Sequence, residues 1–417
     1  MRRFFSFFQL MIRHQKKWFA QWHAWAGIFA GSILIVVSLT GTLLVFEEEL
    51  DVWLYPELFE FEKSGEVMPL NQVFHQIRAE HPRMHFESIF QFPKRNGCYM
   101  SFYEDNDEFR QAVINPYTAE ITGTRVYGDS VMGFIRNLHR TLLVPKVGKY
   151  IVGIASLFMV ILMITGLRLW IPKHWGLIKE RLTIKKGASF KRQNYDLHNS
   201  LGFYFSPFIT LISITGVAIT FSPFVVLALF LVNFQSPQSI GDILGKQSTY
   251  VADNNSLGID HILTIAATDM PEAEIRGFSI PRDSVGVYNV NFTEDGYAVT
   301  GDNSFAMYDQ YTGERLLNTD KDFANSSKLV LNWLTPIHYG TFGGMTTRII
   351  ALLASIAAPI LFITGFIIWW GRWKKRHQKS STEDHLEQPK SDLNGGSNKK
   401  QKRPVIPQRK ETVTNEQ

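Results

Sequence analysis

The sequence predicts an α-helical integral membrane protein with four transmembrane helices and two small α+β domains outside the membrane, built as a duplicated unit. Two observations predict this fold class. Four long stretches of the 417-residue chain are nearly free of charge, and a Thr-Gly pair late in each stretch follows a histidine at one of two fixed distances. The first observation predicts the spans, and the second predicts the duplication.

The four apolar stretches are long enough to cross a membrane. Each exceeds about 20 residues, which covers a hydrocarbon core of about 30 Å at about 1.5 Å per residue of helix. Four uninterrupted stretches of this length do not suit the core of a soluble protein. The first stretch also lacks the small-residue cleavage site of a removable signal peptide. The stretches are 24–46, 150–171, 201–224 and 349–370.

Basic residues predict the orientation of the chain. Its formal net charge is +5, and lysine and arginine cluster before the first stretch, between the second and third, and after the fourth. By the positive-inside rule these three segments are cytoplasmic, so both termini are cytoplasmic and the long loops after the first and third stretches face outward. Contact of the basic residues with anionic lipid of the bilayer explains the charge balance, and no nucleic-acid partner is expected.

The predicted boundaries divide the chain into nine segments. The spans are placed at 22–46, 139–171, 198–224 and 338–371, and the second and fourth of these begin with a histidine-bearing segment. The outer domains are placed at 47–138 and 225–337. The cytoplasmic segments are a basic N-terminus at 1–21, a basic loop at 172–197 and a polar tail at 372–417 that is predicted to be disordered.

The histidine spacing indicates the duplication. In each half, one histidine lies 17 residues before the threonine of a Thr-Gly pair, and another lies 26 residues before the next such threonine. The 17-residue pairs are His23 with Thr40 and His198 with Thr215, and the 26-residue pairs are His139 with Thr165 and His338 with Thr364. Recurrence of both intervals beside the same dipeptide predicts two copies of one unit.

The outer loops repeat as well. A short helix is predicted at 69–80 and a matching one at about 257–267, and alternating residues at 286–292 predict a strand. Similar hairpin turns, with Asn or Asp at the first position, are predicted at 115–120 and 309–314.

Cysteine usage excludes several cofactor types. The chain has one cysteine, Cys98. A disulfide within the chain, a cysteine-ligated iron–sulfur cluster and a c-type haem attachment site are therefore all excluded.

The four repeated histidines fall at two depths. Neutral imidazole is a good axial ligand for haem iron. His23 and His198 begin spans that enter from the cytoplasm, and His139 and His338 precede spans that enter from outside, so the natural pairs are His23 with His198 and His139 with His338. On the residues alone, histidines that hold helix ends are an equal alternative to haem ligands. A zinc site is a lesser one, because the four histidines do not share one depth.

Helix breaks are expected between the outer histidines and their spans. A 26-residue interval would measure about 39 Å as one helix, which is longer than the membrane core. The residues expected to break the helices are Pro145, Gly148, Gly340, Gly343 and Gly344.

The order of these motifs resembles the PepSY-associated transmembrane family. The resemblance rests on the histidine and Thr-Gly spacings, the LHRTL run at 138–142, the DLHNSLGFY run at 196–204 and the two Tyr-Thr-x-Glu turns, and it covers about residues 15–375. Proteins of this group include iron-regulated inner-membrane proteins and dihaem ferric-siderophore reductases. The resemblance implies two periplasmic PepSY-type domains, a bacterial inner membrane, and two b-type haems with bis-histidine ligation.

The resemblance also implies an enzyme, a haem-dependent ferric-siderophore reductase. Electrons would enter near His23 and His198 from a quinol or a cytoplasmic reductase, and would leave near His139 and His338 to a ferric siderophore or other ferric chelate. The candidates for binding haem propionates are Arg168, Arg140, Arg136 and Arg348. No GxGxxG motif follows a strand and no P-loop is present, so a flavin or nicotinamide site is not expected in this chain.

Two other functions stay open. PepSY domains resemble protease-inhibitory propeptides, so the main alternative is a non-enzymatic membrane protein that regulates or binds a periplasmic protease or peptide. A transporter is the second alternative. It is weakened because both units begin on the cytoplasmic side, which makes the repeat parallel and not inverted.

Overall fold

Four long helices form the membrane part of the protein, as the sequence predicts. They are Arg2–Leu44 (span 1), Pro145–Trp170 (span 2), Phe190–Thr220 (span 3) and Gly344–Leu386 (span 4). Their apolar portions are Lys17–Leu44, Pro145–Trp170, Phe190–Thr220 and Thr341–Arg376, and each is long and apolar enough to cross a bilayer. The chain is therefore a multi-pass membrane protein.

The computed structural model describes residues 2–106, 108–172, 174–234, 245–250, 255–294, 304–323 and 325–386. The chain divides into two units, 1–369 and 370–417. In the second unit residues 370–386 are helical, and the rings of Trp370 and Trp373 stack with centroids 5.0 Å apart. Strong helix formers such as Lys374 and Arg376 favour this helix, so the predicted disorder does not hold up to residue 386. The rest of the tail lies outside the described residues.

Small residues let the spans pack closely. Every span contributes to one apolar cluster, whose buried members include Ala30, Met159, Ile209 and Ala354. A Cβ atom on Gly31 of span 1 would lie 2.2 Å from the Phe362 ring of span 4. These two helices can therefore approach as they do only because Gly31 has no side chain.

The segments that follow spans 1 and 3 form one antiparallel sheet of eight strands, in the order β4-β3-β2-β1-β5-β6-β7-β8. The first segment supplies β1 (Ser88–Phe92), β2 (Cys98–Asp105), β3 (Glu108–Ile114) and β4 (Ile121–Arg125). The second supplies β5 (Ala273–Ser279), β6 (Val287–Glu294), β7 (Ser304–Asp309) and β8 (Arg315–Asn318).

The pairing of β1 with β5 joins the two segments into one sheet. Ser88 lies opposite Ser279, Ile89 opposite Phe278 and Phe90 opposite Gly277. Two separate domains were expected, but each would have left an unpaired edge at β1 or β5, and the pairing satisfies both edges at once.

Helices cover the sheet and complete a shared core. Leu70–Glu80 and Ile259–Asp269 lie where short helices are predicted. Their buried residues join one cluster with strands of both segments, and the rings of Phe74 and Phe278 meet at 5.0 Å between centroids. The other α-helices of the described residues are Glu47–Leu54, Pro56–Phe59, Val131–Thr141, Ile178–Leu182, Ser222–Val232, Thr319–Asp322 and Asn325–Tyr339.

The two predicted hairpin turns have matching hydrogen bonds. Asn115 Oδ1 accepts from the Tyr117 amide at 2.9 Å, and Asp309 Oδ1 accepts from the Tyr311 amide at 2.8 Å. The fifth residue of each turn has a left-handed backbone. This residue is Ala119 in the first turn and Gly313 in the second. The side chain at the first position thus holds each turn, as predicted.

The outer histidines are separated from their spans by helix breaks, as predicted, but Gly148 lies inside the helix of span 2 and makes no break. Val131–Thr141 is followed by Leu142 and Leu143 with φ of 51° and 63°, and Pro145 then begins span 2. In the second half the break lies between Gly340 and Gly344, with φ of 74° and 64°.

Span 3 ends before the predicted boundary at residue 224. Its helix ends at Thr220, and a second apolar helix, Ser222–Val232, begins with a proline in its first turn. Proline suits a helix start because its missing N–H has no partner there.

Candidate functional site

The four repeated histidines form two pairs, and the partners are those predicted from topology. The ring centroids of His23 and His198 lie 6.4 Å apart, and those of His139 and His338 lie 6.3 Å apart. The outer pair is the one near the sheet end of the spans, because His139 contacts span 1 close to Leu44. The inner pair, His23 with His198, lies toward the opposite end. Each pair joins the first half of the chain to the second.

Each histidine contacts the Thr-Gly pair of a span in its own half, and this span is a different helix from the one that carries the histidine. In the first half, Nδ1 of His23 lies 3.0 Å from Thr165 Oγ1, and Nδ1 of His139 lies 3.2 Å from Thr40 Oγ1. The second half repeats the arrangement, with Nδ1 of His198 at 2.9 Å from Thr364 Oγ1 and Nδ1 of His338 at 3.0 Å from Thr215 Oγ1.

The threonine hydroxyls act as acceptors in these contacts. Each donates its own hydrogen to the carbonyl four residues earlier in its helix, at 2.7–3.0 Å. A neutral imidazole then donates from Nδ1–H, and its Nε2 carries no proton. In the outer pair, backbone carbonyls also accept from Nδ1, Val37 from His139 at 2.9 Å and Ile212 from His338 at 3.0 Å. All four rings are thereby held as the tautomer that can ligate metal through Nε2.

The glycine of each Thr-Gly pair makes room for the imidazole. A Cβ atom on Gly41 would lie 3.1 Å from Cε1 of His139, and one on Gly166 would lie 3.2 Å from Cε1 of His23. The corresponding distances at Gly216 and Gly365 are both 3.1 Å. The Thr-Gly pair in each span is therefore a surface against which a histidine ring packs. Each of the four spans has one such pair, but the histidine partner of each pair lies on a different helix and was not predicted.

The ring spacing fits a metal ion held between two imidazoles. Rings that ligate one ion from opposite sides, with metal–nitrogen bonds of about 2.0–2.1 Å, have centres about 6 Å apart. A structural zinc site needs four protein ligands, whereas the described residues contain no group of three or more His, Cys, Asp and Glu side chains that could hold a metal. Haem needs only two axial ligands, because its macrocycle supplies the other four nitrogens.

A cavity of about 690 Å³ adjoins the outer pair. It is lined by His139, His338, Gly41 and Gly216, together with apolar residues of all four spans. Its volume lies within the range of about 300–1,000 Å³ typical of small-molecule and cofactor sites. The residues around the outer pair therefore leave space for a ligand of cofactor size.

The predicted propionate-binding arginines divide into two groups. Arg140 lines the cavity and forms no ion pair within the described part of the chain. Arg168 lies on an exposed face of span 2, two residues beyond Gly166, which contacts His23. Both remain predicted ligands. Lys149 also lines the cavity and was missed, because nothing in the sequence distinguished it from an interfacial lysine.

The other two arginines have carboxylate partners, and Arg136 also lines the cavity, so their role at haem propionates stays a prediction. Arg348 binds both oxygens of Glu49, at 2.5 and 2.7 Å, and donates to the Val45 carbonyl. Arg136 forms an ion pair with Glu47. These partners are far away in the sequence, so no local pattern marks them.

Comparison with known proteins yields a family match. A family described as the PepSY-associated TM region matches residues 20–372, which include spans 2 and 3, most of the apolar portions of spans 1 and 4, all four paired histidines and the sheet. No curated protein matches the chain.

Proposed function

Because the chain belongs to the PepSY-associated transmembrane family, we propose that it is a bacterial inner-membrane protein that holds two b-type haems and reduces a ferric chelate such as a ferrisiderophore. The observation that carries this proposal is the presence of two histidine pairs, each at metal-bridging distance and each with both imidazoles held through Nδ1. Haem bound between such pairs supplies reversible one-electron chemistry.

The chain's own residues determine where the two groups would sit. His23 and His198 would hold the inner haem, and His139 and His338 the outer one. Seventeen residues of span 1 separate His23 from Thr40, which contacts His139, and this interval measures about 25 Å along a helix. The two positions therefore lie near opposite faces of a hydrocarbon core of about 30 Å, as a path for electrons across a membrane requires.

Charge supports an orientation with the sheet in the periplasm. The segment between spans 2 and 3 is rich in lysine and arginine, as are both terminal segments, and the positive-inside rule places all three in the cytoplasm. A quinol or a cytoplasmic reductase would then deliver electrons near the inner pair. A ferric chelate would receive them near the outer pair, where Arg140 and Lys149 favour an anionic ligand.

We further propose that the two halves are copies of one PepSY-type unit. The strand order is symmetric about the contact of β1 with β5, the two turns at 115–120 and 309–314 share their hydrogen bonds, and each half has two histidine–threonine contacts. A two-fold relation between copies explains why each histidine faces its own counterpart.

An absorption spectrum of the protein purified in detergent from haem-replete cells tests the proposal. We expect a Soret band, sharp reduced α-bands and about two haems per chain. A colourless preparation would overturn the haem assignment and would favour the alternative of a membrane protein that binds a periplasmic protease or peptide.

Single histidine substitutions test the assignment of the two positions. His139→Ala should remove the outer haem and keep the inner one, and His23→Ala should do the reverse. His261→Ala is the matched control, because His261 is exposed on the helix Ile259–Asp269 and belongs to neither pair. Equal loss of haem in all three variants would contradict the assignment.

A further inference from the structure

The two histidine pairs differ in the angle between their rings. The planes of His23 and His198 are 85° apart, which is nearly perpendicular, whereas those of His139 and His338 are 58° apart. An imidazole that is held only through a metal–nitrogen bond can rotate about that bond. A ring plane is therefore defined only if a second contact holds the other side of the ring.

The threonine hydroxyls supply that second contact. Each accepts from Nδ1–H while its own hydrogen is committed to a carbonyl of its helix, so its lone pair has a defined direction. The neighbouring glycine limits rotation from the other side, because the ring edge lies against its backbone. Threonine and glycine together can hold the ring at one angle.

His139 and His23 also differ in how many acceptors surround Nδ1. His139 has both the Thr40 hydroxyl and the Val37 carbonyl within hydrogen-bond distance. For His23, Thr165 Oγ1 is the acceptor that the described residues provide. Loss of the threonine hydroxyl should therefore leave the His23 ring freer to rotate than the His139 ring.

We propose that Thr165 and Thr364 in the inner pair, and Thr40 and Thr215 in the outer pair, are positioning residues that set the tautomer and the plane of the histidine ligands. This inference rests on the proposed haem function. Low-spin ferric haem with two imidazole ligands gives an electron paramagnetic resonance signal whose anisotropy depends on the angle between the ligand planes. The two pairs should thus give two distinct signals, and the inner pair should give the more anisotropic one.

The test compares these signals in full-length, haem-loaded variants purified in detergent. Thr165→Val removes the acceptor of His23 with almost no change in shape. It should shift the more anisotropic signal and its midpoint potential, and leave the other signal unchanged. Thr40→Val should shift only the less anisotropic signal, and by a smaller amount, because the Val37 carbonyl stays. Thr165→Ser keeps a hydroxyl and should restore the parent signal.

Thr42→Val is the matched control. Thr42 lies in the same span as Thr40 and donates to the Ser38 carbonyl at 2.8 Å. It should have no effect on either signal. Loss of the inner haem in Thr165→Val, with its retention in Thr165→Ser and Thr42→Val, would support the same role of the hydroxyl.

Two results would overturn the inference, and they are distinguishable. If the parent protein carries two haems and Thr165→Val gives the parent signals and potentials, the threonines do not position the ligands, while the proposed function stands. If the parent protein carries no haem, the proposed function fails and the inference fails with it.

Discussion

A buried ionic cluster beneath the sheet gives a sharp prediction about stability. Asp51 is fully buried and accepts two hydrogen bonds from Arg125, at 2.8 and 2.6 Å, and its Oδ2 lies 3.4 Å from Arg95. These contacts join the helix that follows span 1 to strand β4 and to the β1–β2 turn. Asp51→Asn keeps the shape of the side chain and removes its charge.

The structure sets the size of the expected effect. Only 10% of the Arg125 side chain and 5% of the Arg95 side chain are exposed, so water cannot replace the lost carboxylate. Glu47 is the carboxylate that remains near Arg95, at 3.5 Å. Removal of one member of a buried ion pair costs about 3–5 kcal/mol, because the other member stays buried without compensation. We expect Asp51→Asn to destabilise the protein by an amount in this range.

Thermal unfolding in detergent, followed by circular dichroism at one heating rate, measures the effect. Asp105→Asn is the control. Asp105 is half exposed and lies 3.6 Å from Arg110, and an exposed pair of this kind contributes about 0–1 kcal/mol. The reasoning fails if the two variants unfold at the same temperature.

Three further predictions concern the sheet. Burial raises the pKa of the Cys98 thiol to about 12, so a maleimide should label Cys98 only after denaturation, and rapid labelling of native protein at neutral pH would contradict this. Burial acts to raise the pKa of Asp309, but backbone N–H bonds outweigh it and hold the pKa below its ordinary value. Its contribution to stability is therefore complete above about pH 4 and is lost as the pH falls through the folded-state pKa. Asp309→Asn, which copies Asn115, should reduce the fall of the melting temperature between neutral and acidic pH. A fall equal to that of the parent protein would refute this prediction. Gly313→Ala should destabilise by about 1–2 kcal/mol, because Gly313 has φ of 70° and a Cβ atom there would also lie 2.5 Å from Cδ1 of Ile265. Gly176→Ala, in open space, should leave the melting temperature unchanged, and equal effects would argue against backbone strain.

Much of the architecture could be predicted because it depends on local patterns and on topology. Apolar length marks the spans, and their alternating direction pairs His23 with His198. The same direction pairs His139 with His338. Polar first positions mark the two hairpin turns. These features need only the order of residues along the chain and the constraint of two membrane faces.

Other features could not be predicted, because their partners are distant in sequence and have no periodic pattern. The contact of β1 with β5 joins residues that are 185 or more positions apart, such as Gln91 and Arg276, whose side chains are hydrogen-bonded across it. The pairing of Arg348 with Glu49 spans 299 positions. The sequence identifies Arg348 as a cation near the membrane, but only the fold shows that its carboxylate partner is Glu49.

The division of contacts within and between halves has a consequence for biosynthesis. Each histidine–threonine bond joins two helices of one half, whereas each histidine–histidine pair needs both halves. Because synthesis begins at the N-terminus, His23 and His139 can form their hydrogen bonds with Thr165 and Thr40 before the second half has been translated. Neither pair exists until His198 and His338 have followed. The first half is thus prepared early in translation, and the outer pair is completed only when more than three quarters of the chain has been made.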